Sequence, residues 1–194
     1  EAIVAVGTTA TLTPLVEIRY NGIHELTSAE VIQKINECVS HNKQILLLMT
    51  CDDRFDATVA MQNTIFENSR HIRNISMFNI CRDKEEHRRW FSFFTRIVQR
   101  IIGKGKRLTY QSYKFEFKLE EANQLADALR SNNNNNGAID SFDFNHDNLT
   151  PVTLQPVLDA LLDSGVRKIT FQNDDDADPP INYNNSNIDF TGMA

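Results

Sequence analysis

Two stretches decide the fold: Ile139-Asp-Ser-Phe142-Asp-Phe144-Asn-His-Asp147-Asn-Leu149, and Val166-Arg-Lys-Ile169-Thr-Phe171-Gln-Asn-Asp174. Counted from its first residue, the first stretch carries apolar side chains at positions 1, 4, 6 and 11 and a short polar one at position 9. The second repeats that frame 27 residues later (142 to 169). Apolar and polar residues alternating through Ser141-Phe142-Asp143-Phe144 mark a half-buried strand. A strand that returns at a fixed interval marks a repeat.

Working outward, positions 4 and 6 fall on Ile18 and Tyr20, Leu46 and Leu48, Ile75 and Met77, and Phe115 and Phe117. The spacings at position 4 are 28 (18 to 46), 29 (46 to 75), 40 (75 to 115), 27 (115 to 142) and 27 (142 to 169), so one unit is about 12 residues too long. Helical patterns with apolar residues near i, i+3/i+4 and i+7/i+8 lie between the strands: Val31, Ile35, Cys38/Val39; Val59, Met61, Ile65/Phe66; Trp90, Phe91, Phe94, Ile97/Val98, Ile101/Ile102; Ala122, Leu125, Leu129; and Leu154, Leu158, Leu161/Leu162. Thr27 stands three residues before Glu30, a capping-box spacing, and Thr150-Pro151 places a capping hydroxyl before a first-turn proline.

The segments Glu121–Phe144 and Leu149–Ile169 resemble the strand–helix unit of ribonuclease-inhibitor-type leucine-rich repeats, with the likeness best over residues 108–174 and weaker over 15–107. The resemblance implies an α/β leucine-rich-repeat solenoid of about six units, its parallel sheet on the concave side and its helices on the convex side. It also implies a protein-recognition module and not an enzyme, similar to the effectors that intracellular bacterial pathogens deliver into host cells. A strand and helix of this length cannot enclose a core alone, and stacked neighbours bury one continuous strip. Aromatic residues replace leucine at several strand positions, and the polar ladder at position 9 is reduced to Cys51, Asp147 and Asp174.

Composition sets outer bounds. At 194 residues with 41% hydrophobic content, one domain over 1–194 is expected: a flank at 1–14, repeats at 15–174 and a cap or disordered tail at 175–194. No apolar run of about 18 residues occurs. Three cysteines, Cys38, Cys51 and Cys81, fit neither a disulfide framework nor a metal spacing and point to a reducing, cytoplasmic setting, which the resemblance to effectors makes a host cytosol after bacterial secretion. The net charge of −6 argues against nucleic acid. It is unevenly spread, because residues 82–107 hold nine basic and three acidic side chains, a local +6. That segment admits a membrane-surface or acidic-protein contact as a further reading. Asn132–Asn136 reads as a flexible loop.

No cofactor or metal is expected. Asp143, Asn145 and Asp147 mimic the start of a calcium loop, but position 12 is Leu154 where a bidentate glutamate is needed. Neither GxSxG nor a glycine-rich phosphate loop occurs. With positions 4 and 6 inward, positions 3, 5 and 7 face out of the concave sheet, and the residues expected to meet a partner protein are Ile45, Leu47, Met49, Ser76, Phe78, Glu116, Asp143 and Asn145. The chain is expected to act as a monomer. The alternatives are a eukaryotic-type receptor or inhibitor repeat domain and an α/β enzyme.

Overall fold

The computed structural model describes residues 13–21, 26–146, 149–172 and 181–184. Along them strands and helices alternate: β1 (Leu15–Asn21), α1 (Ser28–Ser40), β2 (Gln44–Cys51), α2 (Val59–Glu67), β3 (Ile72–Asn79), α3 (Lys84–Arg100), β4 (Lys106–Ser112), α4 (Leu119–Asn135), β5 (Ile139–His146), α5 (Pro151–Leu162), β6 (Lys168–Gln172) and β7 (Ile181–Asn184). β1 to β6 lie side by side in chain order and all pair in parallel. β7 joins β6 antiparallel, inside the segment read from sequence as a cap or tail. Because the strand order never reverses, a right-handed crossover at each step sets every helix on the same face of the sheet. The helices meet their successors there, with Phe66 of α2 and Phe93 of α3 at 6.2 Å between ring centres.

Local chemistry accounts for the helix starts. Thr27 and Glu30 form the expected capping box, with Thr27 N–H donating to Glu30 Oε2 at 2.6 Å. Asp83 caps α3 by accepting from the Glu85 and Glu86 amides at 2.9 and 3.0 Å. Thr150 caps α5 ahead of Pro151.

The pairing fixes the register across the sheet. One interior row runs Ile18, Leu47, Ile75, Leu108, Phe142, Ile169, and the next runs Tyr20, Met49, Met77, Tyr110, Phe144, Phe171. All twelve are buried against the helices. Three expectations are corrected here. β2 is shifted by one residue, so Ile45, Leu47 and Met49 are 0%, 0% and 2% exposed and fill the interior, whereas Leu46 and Leu48 lie on the opposite face. The fourth strand is Lys106–Ser112, not the segment around Phe115, and the spacings of 40 and 27 become 33 (75 to 108) and 34 (108 to 142). The surplus residues are spread over two 17-residue helices, α3 and α4.

The third correction concerns the asparagine run, which continues α4 instead of forming a loop. Buried Asn132 donates from Nδ2 to Ile101 O at 2.8 Å and accepts from Ala138 N–H at 3.2 Å, and Asn133 donates to Asp163 O at 2.9 Å. These side chains tie α4 to the ends of α3 and α5. Gly137, at φ 54°, turns the chain into β5.

Candidate functional site

At the carboxyl ends of β2 to β5 the interior row becomes polar: Cys51, Asn79, Ser112 and His146 stand opposite one another, all buried. Cys51 therefore belongs to a ladder at position 8 of the unit, not position 9. Asp147 and Asp174, the other members proposed for that ladder, lie outside the described residues. Asn79 Nδ2 donates to Tyr110 OH at 2.9 Å and to His87 O at 3.1 Å, and Cys81 N–H donates to Asn79 Oδ1 at 3.3 Å. The Trp90 indole N–H donates to Asp52 O at 2.9 Å. Asn79 thus satisfies backbone groups where β3 turns into the loop that leads to α3, as a buried polar side chain can.

Within that row His87 Nε2 lies 2.8 Å from Ser112 Oγ, the contact of a base with a nucleophile. Burial holds the His87 imidazole down at about 4, so it is neutral near pH 7. Both residues are at most 1% exposed, and the Phe115 ring covers His87 at 4.7 Å between centres. With Ser112 fully enclosed, no substrate reaches Oγ in this arrangement. The cysteines are equally enclosed, and burial pushes the Cys81 thiol up to about 12 and raises the Cys51 thiol well above its ordinary value. These thiols do not ionise near neutrality, so they are poor nucleophiles.

The opposite, helix-free face of the sheet carries three solvent-side rows. They run Glu17, Leu46, Asn74, Arg107, Ser141, Lys168; then Arg19, Leu48, Ser76, Thr109, Asp143, Thr170; then Thr50, Phe78, Gln111, Asn145, Gln172. Side chains alternate along each strand, which puts every other residue here. Over β1 to β3 the face is partly apolar, with Leu46, Leu48 and Phe78 half-buried. The Tyr113 ring, from the loop after β4, meets Phe78 edge to face at 5.3 Å. Arg19, Leu48, Thr50, Ser76 and Phe78 line an open hollow of about 220 Å³. Over β4 to β6 the face is charged. Burial raises the Asp143 carboxyl above its ordinary range, and Arg107 and Lys168 on the flanking strands partly offset that.

Of the residues expected to contact a partner, Ser76, Phe78 and Asp143 lie on this face. Asn145 belongs to it but is 4% exposed, with no hydrogen-bond partner for its Oδ1 among the described residues. Glu116 is exposed in the loop between β4 and α4, off the sheet. Ile45, Leu47 and Met49 are interior, and Leu46, Leu48 and Thr50 take their place. Arg107, Thr109 and Gln111 escape a sequence reading that centres the fourth strand on Phe115. The spacing of 40 was the signal that could have found them.

Among the described residues no group of three or more His, Cys, Asp or Glu side chains could hold a metal ion. No helix among them is long and apolar enough to cross a membrane. No family model, curated protein or solved structure matches the chain.

Proposed function

We propose that the chain is a leucine-rich-repeat-like solenoid that recognises a partner protein through the helix-free face of its sheet. The observation that carries this reading is the strand order: six parallel strands in strict sequence, with helices on one side, leave the other side as one continuous surface. An α/β enzyme of the doubly wound type instead binds its ligand where the strand order reverses. The apolar and aromatic part at Leu46, Leu48, Phe78 and Tyr113, bordered by Arg19, Ser76 and Arg107, has the make-up of an interface core inside a polar rim. Cys38, Cys51 and Cys81 are free and buried, which fits a reducing compartment. On this reading the setting is a host cytosol and the chain an effector.

The test places a photo-crosslinking amino acid at Ser76 or Thr109 on the sheet face, and at Asn123 on the exposed side of α4. Irradiation in host-cell lysate should give one discrete adduct from the two sheet positions and none from Asn123. Phe78→Asp should abolish that adduct without lowering the melting temperature, since loss of an interface anchor costs more than about 1 kcal/mol of binding. Adducts of equal yield from Asn123, or indifference to Phe78→Asp, would remove the sheet face as the recognition surface.

A further inference from the structure

The basic stretch singled out in the sequence serves several ends. Lys106 is interior: its ammonium donates to the carbonyls of Ser69, Arg70 and Ile72 at 2.7, 3.1 and 2.6 Å and closes the α2–β3 connection. Arg107 lies on the sheet face. What remains is a stripe on α3, with Arg88, Arg89, Ser92, Arg96 and Arg100 following one another at helical spacing on its solvent side. From Arg88 to Arg100 the stripe is about 18 Å long at ~1.5 Å per residue.

This stripe borders a groove of about 470 Å³ lined by Phe55, Glu85, Arg88, Arg89, Ser92 and Arg96. Phe55, half-buried, forms an apolar wall and rests edge to face on Trp90 at 4.8 Å. The arginines are held in place by rings and backbone. Arg96 lies over Phe93 at 5.8 Å with its Nε donating to Ser92 O at 3.4 Å, and Arg100 lies over Phe66 at 5.0 Å. Arg89 is bridged to Glu85 and Glu86. Among the described residues Arg88, Arg96 and Arg100 form no ion pair. Burial chiefly, and then the neighbouring Arg100, lower the Arg96 pKa.

We infer that this groove is a second docking site, which takes an acidic segment of a partner protein carrying one apolar side chain. The carboxylates would pair with Arg88, Arg96 and Arg100, whose forked donors suit them, and the apolar group would rest against Phe55. Charge chooses the side of α3. The groove sets Arg88, Arg89 and Arg96 against the single carboxylate of Glu85. The hollow on the other flank, shared by Arg88 and Ser92, balances Arg88 and Lys118 against Glu120 and Glu121 and offers an acidic chain no net attraction. A flat anionic bilayer fits less well, because Trp90, Phe91, Phe93 and Phe94 all point inward and α3 presents nothing apolar to insert. The groove lies on the helix side of the sheet, so this site stands apart from the sheet face proposed above.

The test uses the full chain and a fluorescein-labelled peptide of alternating Glu and Ser around a central Trp-Leu pair, followed by anisotropy at about 10 mM salt, where charges act over about 30 Å. The double variant Arg88→Glu/Arg96→Glu should weaken binding at least about tenfold, or about 1.4 kcal/mol. The control Lys34→Glu/Arg130→Glu makes the same change in net charge on α1 and α4 and should stay within about twofold, under ~0.5 kcal/mol. Should the first variant not fold by circular dichroism, Arg88→Gln/Arg96→Gln takes its place. Replacing Trp-Leu by Ser-Ser should also weaken the peptide several-fold. No binding at all, an equal loss in the control pair, or no effect of removing Trp-Leu would overturn the proposal. So would tighter, arginine-dependent binding to phosphatidylserine vesicles or to a uridine oligomer. None of these outcomes bears on crosslinking from Ser76 and Thr109.

Discussion

β2 and β5 stand three places apart in one sheet and turn the same alternate positions toward the helices, although Asn145 on the outer row of β5 is buried as well. Their sequences nevertheless differ in kind. β5 writes its alternation openly: Phe142, Phe144 and His146 go in, Ser141 and Asp143 go out. β2 reads Gln-Ile-Leu-Leu-Leu-Met-Thr-Cys, apolar on both faces through Met49. A slip of one residue exchanges the two faces of a strand. In β5 that slip would bury Asp143 and expose two phenylalanines. In β2 it would mostly exchange one set of apolar side chains, Ile45, Leu47 and Met49, for another, Leu46 and Leu48. The register of β2 is set by what precedes it: Lys43 N–H donates to Cys38 O, Asn42 turns the chain at φ 50°, and Gln44 N–H donates to Pro14 O. An apolar outer face is not needed for the fold, which is why its occurrence on β2 and not on β5 points to recognition.

The sharpest way to break this comparison is a pair of adjacent substitutions in β2. Leu47→Asp would put an uncompensated carboxylate among buried side chains and should cost roughly 3 to 5 kcal/mol or more. Leu48→Asp faces the other way and should stay within about 1 kcal/mol. Urea unfolding followed by circular dichroism reads both. Equal losses would mean that the outer face of β2 is covered, and the proposed recognition surface would lose its apolar centre.

The same contrast shows what could be read in the sequence. Six units, their order, the amphipathic helices and the Thr27 and Thr150 caps were all legible, because each leaves a periodic or positional mark. β4 was not. Its alternation, Leu108-Thr-Tyr110-Gln-Ser112, opens with Lys106 at an interior position, a charge that satisfies three carbonyls which only the folded chain brings together. Phe115 and Phe117 alternate as well and drew the strand assignment. In the structure they are plugs: Phe115 covers His87, and Phe117 lies 6.0 Å from Phe91 and 5.0 Å from Phe144. Period alone cannot tell two apolar faces of a strand from one, nor an aromatic plug from a strand residue. The candidate site inherited both failures, at Ile45, Leu47 and Met49 and at Arg107, Thr109 and Gln111.

A second, smaller effect separates the two regions by pH. The interior polar row is a thiol at β2 but borders imidazole at β4 and β5, so acid should act on the later end. His87 is held near 4 in the fold against an ordinary value of 6.5. Between those values the unfolded chain takes a proton that the folded chain refuses. Its contribution to stability is therefore complete above about pH 6.5 and falls away as the pH drops toward 4, by roughly 3 kcal/mol at most. His87→Gln can still bond Ser112 but does not titrate. Urea midpoints at several pH values between these limits should fall less steeply for the variant than for the parent. Parallel slopes would show that His87 is not the acid-sensitive group.

The smallest expected effect lies on the charged half of the outer face and runs in the opposite direction with pH. Burial raises the Asp143 carboxyl despite Arg107 and Lys168, so here the fold prefers the protonated form. Stability from this group is present at low pH and is lost as the pH rises through its folded value. Asp143→Asn keeps the shape and removes the charge, and at neutral pH it should leave stability unchanged or raise it by up to about 0.5 kcal/mol, the usual scale for a surface position. At a pH low enough to protonate the parent carboxyl, the two proteins should be indistinguishable. Thermal melts at the two pH values supply the comparison. A clear loss at neutral pH would mean that Arg107 and Lys168 outweigh burial and clamp Asp143 as an ion, making the β4–β6 half of the face a fixed charge network where the β1–β3 half is partly apolar.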